Sequence, residues 1–215
     1  MTAQAKPNNR SGRHARNAAP AIGDLFEQPR AWPAGLRYED GFLSASEEAA
    51  LLASIAELPL HEAAYKGYTA RRRTASFGSS YDFGANTLNE APPLPSFLLP
   101  LREKVAGWAG TPAERFAHGL VTEYRPGTQL GWHRDVPQFA LVVGISLGSA
   151  CRMRFRPYVT AAAARRNDPD AFALELRPRS IYAMADEARW RWQHSIPPTP
   201  DLRFSITFRT MRDTR

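Results

Sequence analysis

A histidine and an aspartate stand two residues apart in the segment LGWHRDVPQF, residues 130–139. On an extended chain, side chains at positions i and i+2 point to the same side, so His133 and Asp135 can serve one point in space. An imidazole and a carboxylate placed in this way either form a structural ion pair or ligate a metal ion. The pair alone does not decide between these two interpretations.

A metal would need a further ligand from a distant part of the chain. Two histidines and one carboxylate on one face of the metal are typical of non-haem Fe(II) oxygenases, which leave other coordination positions open. The segment ARWRWQHSIPP, residues 188–198, places His194 in the β-rich half of the sequence, and we expect it to be the third ligand. The remaining histidines are His14, His61 and His118.

The segment RFSITFR carries two arginines that a strand would point to one face. Arg203 and Arg209 are an even number of residues apart, and Ser205 and Thr207 lie between them on the same side. Burying two arginines requires anions, and a dicarboxylate would satisfy them, because a guanidinium holds a carboxylate by two parallel hydrogen bonds. The alternative is a pair of exposed arginines on an edge strand. The opposite, apolar side carries Phe204, Ile206 and Phe208.

A tyrosine precedes the His-x-Asp pair in the segment EYRPGTQLGWH, residues 123–133. Tyr124 lies on a predicted strand before a Pro-Gly turn, and His133 lies on the strand after it. The hydroxyl group of Tyr124 could hydrogen-bond the acid that the arginines hold. A ring buried in the hydrophobic core is the alternative interpretation.

Together these segments resemble the AlkB family of Fe(II)- and 2-oxoglutarate-dependent dioxygenases, over about residues 35 to 211. Each motif is loose by itself, and their order and spacing carry the resemblance. Two further segments look similar, SLG at 146–148 and ARRNDP at 164–169. The motifs in chain order are Tyr124, Pro126-Gly127, His133-Arg134-Asp135, His194, and Arg203 with Arg209.

The resemblance implies an α+β fold, with a double-stranded β-helix (jelly-roll) core on which N-terminal helices pack. It implies that His133, Asp135 and His194 are the catalytic iron ligands. It also implies that Arg203 pairs with the distal carboxylate of 2-oxoglutarate. The residues expected in or beside that cosubstrate site are Tyr124, Ser205 and Arg209.

The reaction implied by the resemblance uses Fe(II), 2-oxoglutarate and O₂. The cosubstrate and O₂ become succinate and CO₂ while a C–H bond is hydroxylated, and a hydroxylated N-methyl group then leaves as formaldehyde. The expected substrate is alkylated DNA or RNA, and the expected role is DNA repair. The chain departs from many family members at Thr122, where they carry asparagine, and from some at Ser205.

The segment RRRTASFGSSYDFG, residues 71–84, occupies the place where the family has its nucleotide-handling lid. Arginines can hold phosphates and aromatic rings can stack on a flipped base. The alternative is a β-hairpin with exposed charges and packed aromatic rings. The predicted substrate-binding residues are Arg71, Arg72, Arg73, Phe77 and Tyr81.

Local patterns predict helices first and strands afterwards. Ser44 and Glu47 form a capping box that opens a helix over 44–58, and helical spacing predicts a second helix over 96–108. From residue 119 onwards, short β-type segments separated by turn residues favour a β-sandwich or barrel. The resulting division is a basic, disordered tail at 1–34, helices and lid at 35–115, and the jelly roll at 116–211.

Composition restricts the class of protein. The 215 residues include one cysteine, Cys151, and the formal net charge is +7. We expect a cytoplasmic monomer without a membrane segment, since the chain has neither a long apolar run nor a signal-like N-terminus. The charge favours nucleic-acid partners or reflects composition alone. Other interpretations are oxidation of RNA, protein or small molecules, an inactive nucleic-acid-binding module, and a zinc hydrolase.

Overall fold

The computed structural model describes residues 1–2, 32–65, 68–82, 87–158 and 170–213, without the side chains of 63–71 and 80–88. The described helices and strands belong to a compact unit that begins at Trp32. The predicted tail falls mostly on residues 3–31, which lie outside the described residues, as does the segment 164–169.

The first helix, α1 (Ala45–Ala56), begins at the predicted capping box. The Ser44 hydroxyl accepts a hydrogen bond from the Glu47 amide, and the Glu47 carboxylate accepts one from the Ser44 amide. These bonds satisfy backbone donors that have no partner inside the helix. Ile55 is fully buried on the inner stripe of the helix, and the helix ends before Pro59.

The second helix, α2 (Leu99–Ala109), is shorter than the sequence pattern predicts. Residues Ser96–Leu98 form a 3₁₀ turn instead of the first α-helical turn, and Pro100 then occupies the start of the α-helix, where a missing amide hydrogen is harmless. Gly110 ends the helix in the left-handed conformation with φ 67°. No helix in the described part of the chain has the length and apolar content of a membrane span.

The remaining elements are strands, a 3₁₀ turn (Ala113–Arg115) and one short helix, α3 (Asp186–Trp190). His61, three residues beyond the end of the first predicted helix, begins a strand. The strands are β1 (Leu36–Glu39), β2 (His61–Tyr65), β3 (Tyr68–Phe77), β4 (Ser79–Asp82), β5 (Thr87–Glu90), β6 (His118–Tyr124), β7 (Leu130–His133), β8 (Phe139–Leu147), β9 (Cys151–Pro157), β10 (Phe172–Leu176), β11 (Ile181–Met184), β12 (Trp192–Ile196) and β13 (Arg203–Met211).

Two antiparallel sheets form the body of the fold. The major sheet has the order β1-β11-β8-β13-β6-β3-β2, and the minor sheet has the order β10-β9-β12-β7. A separate hairpin pairs β4 with β5. Most neighbours in the two sheets are distant in sequence, as in a jelly roll, and α1 and α2 precede the main run of strands. The predicted α+β jelly-roll fold is therefore confirmed.

Each face of the major sheet packs in its own hydrophobic core. One core lies between this sheet and the helices, and Ile55 of α1, Val105 of α2 and Ile206 of β13 belong to it. The other core lies between the two sheets and includes Phe155 of β9 and Tyr182 of β11. Side chains alternate between the two faces of each strand. The face of the major sheet that is turned towards the minor sheet, called the inner face, can therefore carry the side chains of a site.

Candidate metal centre

The three predicted metal ligands meet at one end of the minor sheet. His133 ends β7 and His194 lies in β12, and the two are direct cross-strand partners. Their ring centroids are 4.2 Å apart. Asp135 follows two residues after β7, and the ligand atoms of all three residues lie within 4.8 Å of one another. Pairing of two strands thus brings together residues that are far apart in sequence.

A backbone carbonyl sets the tautomer of His133. The Nδ1 atom of His133 lies 2.9 Å from the carbonyl oxygen of Gly131. A carbonyl can only accept, so Nδ1 carries the hydrogen and donates it. The lone pair of Nε2 is then available for a metal, which is the arrangement that orients ligand histidines in metal sites.

An arginine of the major sheet holds the carboxylate of Asp135. The Nε atom of Arg209 donates to Oδ1 of Asp135 over 3.1 Å. Burial by itself would raise the pKa of Asp135, but Arg209, acting together with His194, His133 and Arg189, outweighs it, so the pKa lies below its usual value. The carboxylate is therefore ionised at neutral pH, as a metal ligand must be.

Burial keeps the neighbouring histidines neutral. It lowers the pKa of His194 to about 3, and the same cause lowers the pKa of His133. His118, on β6, also has a pKa lowered to about 3 by burial and then by the charge of Arg209. Nη1 of Arg209 lies 3.2 Å from Nδ1 of His118 and donates to it. The two candidate imidazole ligands thus need to lose no proton to bind a metal.

A fully buried arginine lies on the same inner face of the major sheet. Arg203 is 1% exposed, and its Nε donates to the hydroxyl of Ser146 over 3.1 Å. Its guanidinium carbon lies 4.9 Å from the ring centroid of Tyr124, its cross-strand partner. The buried Nη1 atom has no hydrogen-bond partner. A buried charged donor without a partner is costly, so this atom marks a place where an anion would bind.

A second predicted cosubstrate residue of β13, Ser205, lies beside this arginine. Ser205 is buried, and it is opposite Thr122 on one side and Ser146 on the other. Small hydroxyl side chains here leave room on the sheet surface while offering hydrogen-bond donors. Arg203, Ser205 and Arg209 share the inner face, as the alternation in the sequence predicts.

One aromatic residue of this region was missed by sequence reasoning. Tyr182 of β11 is buried, and its ring lies over Gly144 on β8: a Cβ atom at Gly144 would fall 2.4 Å from the ring. Burial raises the pKa of Tyr182, and the charge of Asp135 raises it further. A signal existed in the sequence, since an isolated glycine inside a strand pattern indicates close approach of another group.

The lid candidates divide between the two faces of β3. Arg72 is on the inner face, and its positive charge acts on His133. Arg73 is on the outer face, where it donates to the carboxylate of Glu123 and to the carbonyl of Leu60. Phe77 is buried in the core between sheet and helices.

The remaining lid candidates have no described side chains. Arg71 and Tyr81 lie in strands whose backbone is described, but their side chains are outside the described residues. The substrate role of all five lid residues stays a prediction. Proximity to the histidine–aspartate cluster distinguishes Arg72 alone among the lid side chains that the structure describes.

The residues present fit the cofactors that the sequence implies. Two imidazole nitrogens and one carboxylate oxygen are the donor set of non-haem Fe(II) sites. The unpartnered Nη1 of Arg203 fits a carboxylate of 2-oxoglutarate, since arginine pairs with carboxylates by charge-assisted hydrogen bonds. Within the described part of the chain, His133, Asp135 and His194 are the group that could hold a metal ion.

Comparison with known sequences identifies relatives. The sequence model of the 2OG-Fe(II) oxygenase superfamily matches residues 35–209. Uncharacterized protein L905 of Acanthamoeba polyphaga mimivirus is 32% identical over 105 residues, 43% of this chain and 47% of the relative. The Alkylated DNA repair protein ALKBH8 homolog of Arabidopsis thaliana is 29% identical over 181 residues, 76% of this chain and 51% of the relative.

A mammalian relative is more distant. The tRNA (carboxymethyluridine(34)-5-O)-methyltransferase ALKBH8 of Mus musculus is 26% identical over 179 residues, 78% of this chain and 25% of the relative. The chain thus spans about half, or less, of the length of the curated relatives it matches.

Solved structures share the fold. OsALKBH1 superposes with a TM-score of 0.64 at 13% identity, over 85% of this chain and 99% of that chain. A Pseudomonas putida prolyl-4-hydroxylase gives a TM-score of 0.56 at 13% identity, over 84% and 94% of the two chains. At these identities the likeness shows the fold alone. The family match covers most of the sequence, and the chain therefore belongs to the 2OG-Fe(II) oxygenase superfamily, whose cofactors are Fe(II), 2-oxoglutarate and O₂, and it is similar in sequence to AlkB homologues.

Proposed function

We propose that this chain oxidatively demethylates alkylated bases in nucleic acid. The observation that carries the proposal is the histidine–aspartate cluster of an AlkB-like chain, bordered by a cation: the charge of Arg72 acts on His133. A phosphate-bearing substrate is attracted to such an edge, whereas a neutral small molecule gains nothing from it. A relative in Arabidopsis thaliana carries the name of an alkylated-DNA repair protein.

In this proposal His133, Asp135 and His194 hold the iron. The two imidazoles are neutral and the carboxylate is ionised at neutral pH, so each is already in the protonation state that a ligand requires. Arg209 fixes the orientation of Asp135 through Oδ1, which leaves Oδ2 on the side of His194, 3.8 Å from its Nε2 atom.

The same inner face binds the cosubstrate. Arg203 pairs with the distal carboxylate of 2-oxoglutarate, and Tyr124 and Ser205 lie beside it with their hydroxyl groups. Because Arg203 is fully buried, the pair forms in a medium of low dielectric constant, where electrostatic attraction is stronger than in water. Zinc hydrolysis, an alternative from the sequence, would give this arginine no partner.

When bound together, Fe(II), 2-oxoglutarate and O₂ supply the oxidation of a C–H bond, with succinate and CO₂ as co-products. The protein residues bind and orient. Arg203 fixes one end of the cosubstrate, Arg209 holds a ligand in place, and Arg72 attracts the phosphate groups that flank the target base. Hydroxylation of an N-methyl group gives a product that releases formaldehyde and restores the base.

A second candidate function is oxidation of a modified base in RNA. The observation that favours it is the likeness to a mouse protein named for methylating a carboxymethyluridine of tRNA. The same residues would hold the cofactors, and the difference lies in which nucleic acid reaches the site. Both functions use a base attached to a phosphate backbone, so Arg72 has the same role in each.

The test measures succinate and formaldehyde from purified protein with Fe(II), ascorbate and 2-oxoglutarate. The substrates are methylated and unmethylated single-stranded DNA of one sequence, and tRNA lacking or carrying its modifications. We expect succinate to rise with methylated DNA and formaldehyde to rise in step. Succinate that rises only with tRNA, without formaldehyde, would replace the first function with the second.

The control for this assay is Asp135→Ala, which removes a proposed iron ligand. It should form no succinate with any substrate while keeping the circular dichroism spectrum of the wild type. Succinate formation by wild type that no nucleic acid changes would contradict the proposed substrate class and keep the dioxygenase.

A further inference from the structure

The outer face of the minor sheet carries a row of arginines on β9. Cys151, Met153 and Phe155 point inwards and are buried between the sheets, and the residues that alternate with them are arginines. Arg152 and Arg154 are exposed and Arg156 is half-buried. We call these three residues the arginine face. Their spacing of two residues places neighbouring cations about 6.6 Å apart along the strand.

A tryptophan on the edge strand β7, which β12 separates from β9, supports the arginine face. The guanidinium carbons of Arg156 and Arg154 lie 4.2 and 5.1 Å from the ring centroid of Trp132. Guanidinium groups stack favourably on aromatic faces, and stacking limits their conformational freedom. Trp132 immediately precedes His133, so the support of the arginine face and a candidate iron ligand are consecutive residues on opposite faces of β7.

Neutral groups, not carboxylates, position two of these arginines, Arg154 and Arg156. Arg154 donates through Nε to the hydroxyl of Ser195 over 3.1 Å, and Arg156 donates twice to Oε1 of Gln193, over 3.1 and 3.0 Å. Within the described residues, no ion pair to an aspartate or glutamate involves Arg152, Arg154 or Arg156. The positive charge of the arginine face is therefore held in place without being neutralised.

An acidic neighbour of Arg152 pairs with another arginine. Glu175 is the cross-strand partner of Arg152, but its carboxylate lies 3.7 Å from Nε of Arg177. Arginines on other surfaces differ, because Arg73 and Arg125 share the carboxylate of Glu123. Uncompensated charge is thus a property of the arginine face and not of every arginine in the chain.

The arginine face continues to the entrance of the candidate site. β7 is the edge strand of the minor sheet, and its last residue is His133. The next residue, Arg134, lies with its guanidinium carbon 3.6 Å from the ring centroid of Tyr158, which is 47% exposed and follows β9. A chain lying along the arginine face can therefore reach the histidine–aspartate cluster by passing over β12 and the edge strand β7.

We propose that the arginine face binds the phosphate backbone of the nucleic-acid strand whose target base enters the site. This inference rests on the proposed function and names the surface that holds its substrate. Fixed, unneutralised guanidinium groups bind phosphates by charge-assisted hydrogen bonds regardless of base sequence. An acidic protein could also match the charge, but the regular spacing and the continuity with a site for a base favour a nucleic-acid strand.

The test removes two charges from the arginine face and two from the helix side of the molecule. The first variant is Arg152→Gln/Arg154→Gln. The matched control is Lys104→Gln/Arg115→Gln, which changes the net charge equally and alters residues whose partners are Glu47 and Asp213. Each protein is titrated into labelled, unmethylated single-stranded DNA and RNA of twenty nucleotides, and the dissociation constant is measured by fluorescence anisotropy from 50 to 300 mM NaCl.

We expect the first variant to bind about tenfold more weakly at low salt and the control to stay within about twofold of wild type. The slope of log K against log salt should fall by about 1.4 in the first variant, because each lost phosphate contact removes about 0.7 for single strands. Arg152→Lys/Arg154→Lys, which keeps the charge, should recover most of the affinity. Equal weakening in the first variant and the control, or none in either, would overturn the proposal.

Turnover and a polyanion control separate this proposal from the proposed function. Succinate formed without nucleic acid should be unchanged in the first variant, because its substitutions face away from the iron site. If wild type oxidises nucleic acid but the first variant has wild-type affinity, the arginine face is wrong and the function stands. If the wild-type protein binds no nucleic acid, both the proposed function and the proposed role of the arginine face are wrong. Polyglutamate that competes as well as DNA at equal charge would overturn the choice of partner.

Discussion

Strands β9 and β13 both carry arginines at even spacing, yet they place them in opposite environments. On β13, Arg203 is 1% exposed and Arg209 lies against the carboxylate of Asp135. On β9, Arg152 and Arg154 are exposed on the outer face of the other sheet. The same local pattern thus builds the inside of a site on one strand and a charged surface on the other.

The difference shows what makes an inward arginine tolerable. A buried guanidinium needs partners for its charge and its hydrogen-bond donors. Asp135 supplies them for Arg209, and Ser146 supplies one for Arg203, whose Nη1 remains without a partner. The outward arginines need no such compensation, since water solvates them. An inward arginine with an unfilled donor is therefore evidence for a ligand, whereas an outward one is evidence for a surface at most.

The largest expected effect comes from removing the anion that compensates Arg209. Asp135→Ala should abolish succinate formation, and it should lower the free energy of unfolding of the metal-free protein by about 3 kcal/mol, because a buried charge loses its partner. His133→Ala is the control: it should abolish succinate formation with a much smaller loss in urea denaturation. Equal stability of the two variants would contradict the role given to Arg209.

A smaller effect is expected from changing the donor geometry of the inward arginine. Arg203→Lys keeps the charge but loses the planar fork, so the KM for 2-oxoglutarate should rise about 30-fold, in line with the loss of a charge-assisted hydrogen bond. The matched change on the outward strand, Arg154→Lys, should leave this KM unchanged. Unchanged KM in both variants would remove the distinction between the two strands.

A buried histidine on the inner face, His118, predicts how the free energy of unfolding depends on pH. Burial lowers the folded pKa of His118 to about 3 from an ordinary value of 6.5, so between these values the unfolded chain binds a proton that the folded protein does not. The contribution of neutral, buried His118 to the free energy of unfolding is therefore complete above pH 6.5 and is lost as the pH falls towards 3. The loss is about 1.4 kcal/mol per pH unit for each such histidine.

Urea denaturation of the metal-free protein between pH 4 and 7 measures this slope. His118→Gln should lower this slope by about 1.4 kcal/mol per pH unit, which corresponds to one proton fewer bound on unfolding. The control is His61→Gln, which changes an exposed histidine at the start of β2 and should keep the wild-type slope. A wild-type slope in the His118 variant would mean that a residue other than His118 takes up the proton on unfolding.

A modest effect is expected from the tyrosine that lies among these groups. Tyr182→Phe removes a buried hydroxyl and should raise the KM for 2-oxoglutarate about fivefold, as the loss of a neutral hydrogen bond does, with little change in kcat. Gly144→Ala, which places a methyl group against the ring, should act in the same direction. Tyr38→Phe, on the neighbouring strand β1, is the control. If the Tyr182 variant matched that control, the hydroxyl would have no part in cosubstrate binding.

The smallest effect is expected for an outward arginine that has a partner. Arg73→Gln breaks a partly buried ion pair with Glu123, which keeps Arg125 as a second partner, so the free energy of unfolding should fall by only about 0.5 kcal/mol and turnover should not change. Its neighbour on the inner face is the comparison, and Arg72→Gln should lower turnover of the nucleic-acid substrate while keeping stability. Similar turnover in both variants would mean that an arginine on the inner face of β3 contributes no more to turnover of the nucleic-acid substrate than one on the outer face.

Much of the local structure follows from the sequence. The capping box of Ser44 and Glu47 specifies the start of α1, because it satisfies donors within four residues. Alternation along β13 specifies that Arg203 and Arg209 share a face. The start of α2 was predicted at residue 96, three residues before Leu99, because apolar spacing does not distinguish a 3₁₀ turn from an α-helical turn.

The sequence could not predict which residues of the lid segment face the site. Arg72 and Arg73 are identical and consecutive, and only the pairing of β3 with β6 turns one inwards and the other outwards. Phe77 and Tyr182 show the same limit: both are aromatic residues on β strands, and one packs under the helices while the other lies beside Asp135 and Arg203.

The sequence by itself determined the chemistry available to this protein: two histidines, an aspartate and paired arginines in the order of one family. These features are local, since residue type and the period of a strand depend on few neighbours. Only the tertiary structure decided which side chains are buried together, because strand pairing joins positions as far apart as Leu36 and Met184 and burial sets the protonation state of each group. The same arginine pattern became an inner site on β13 and an outer surface on β9 for this reason.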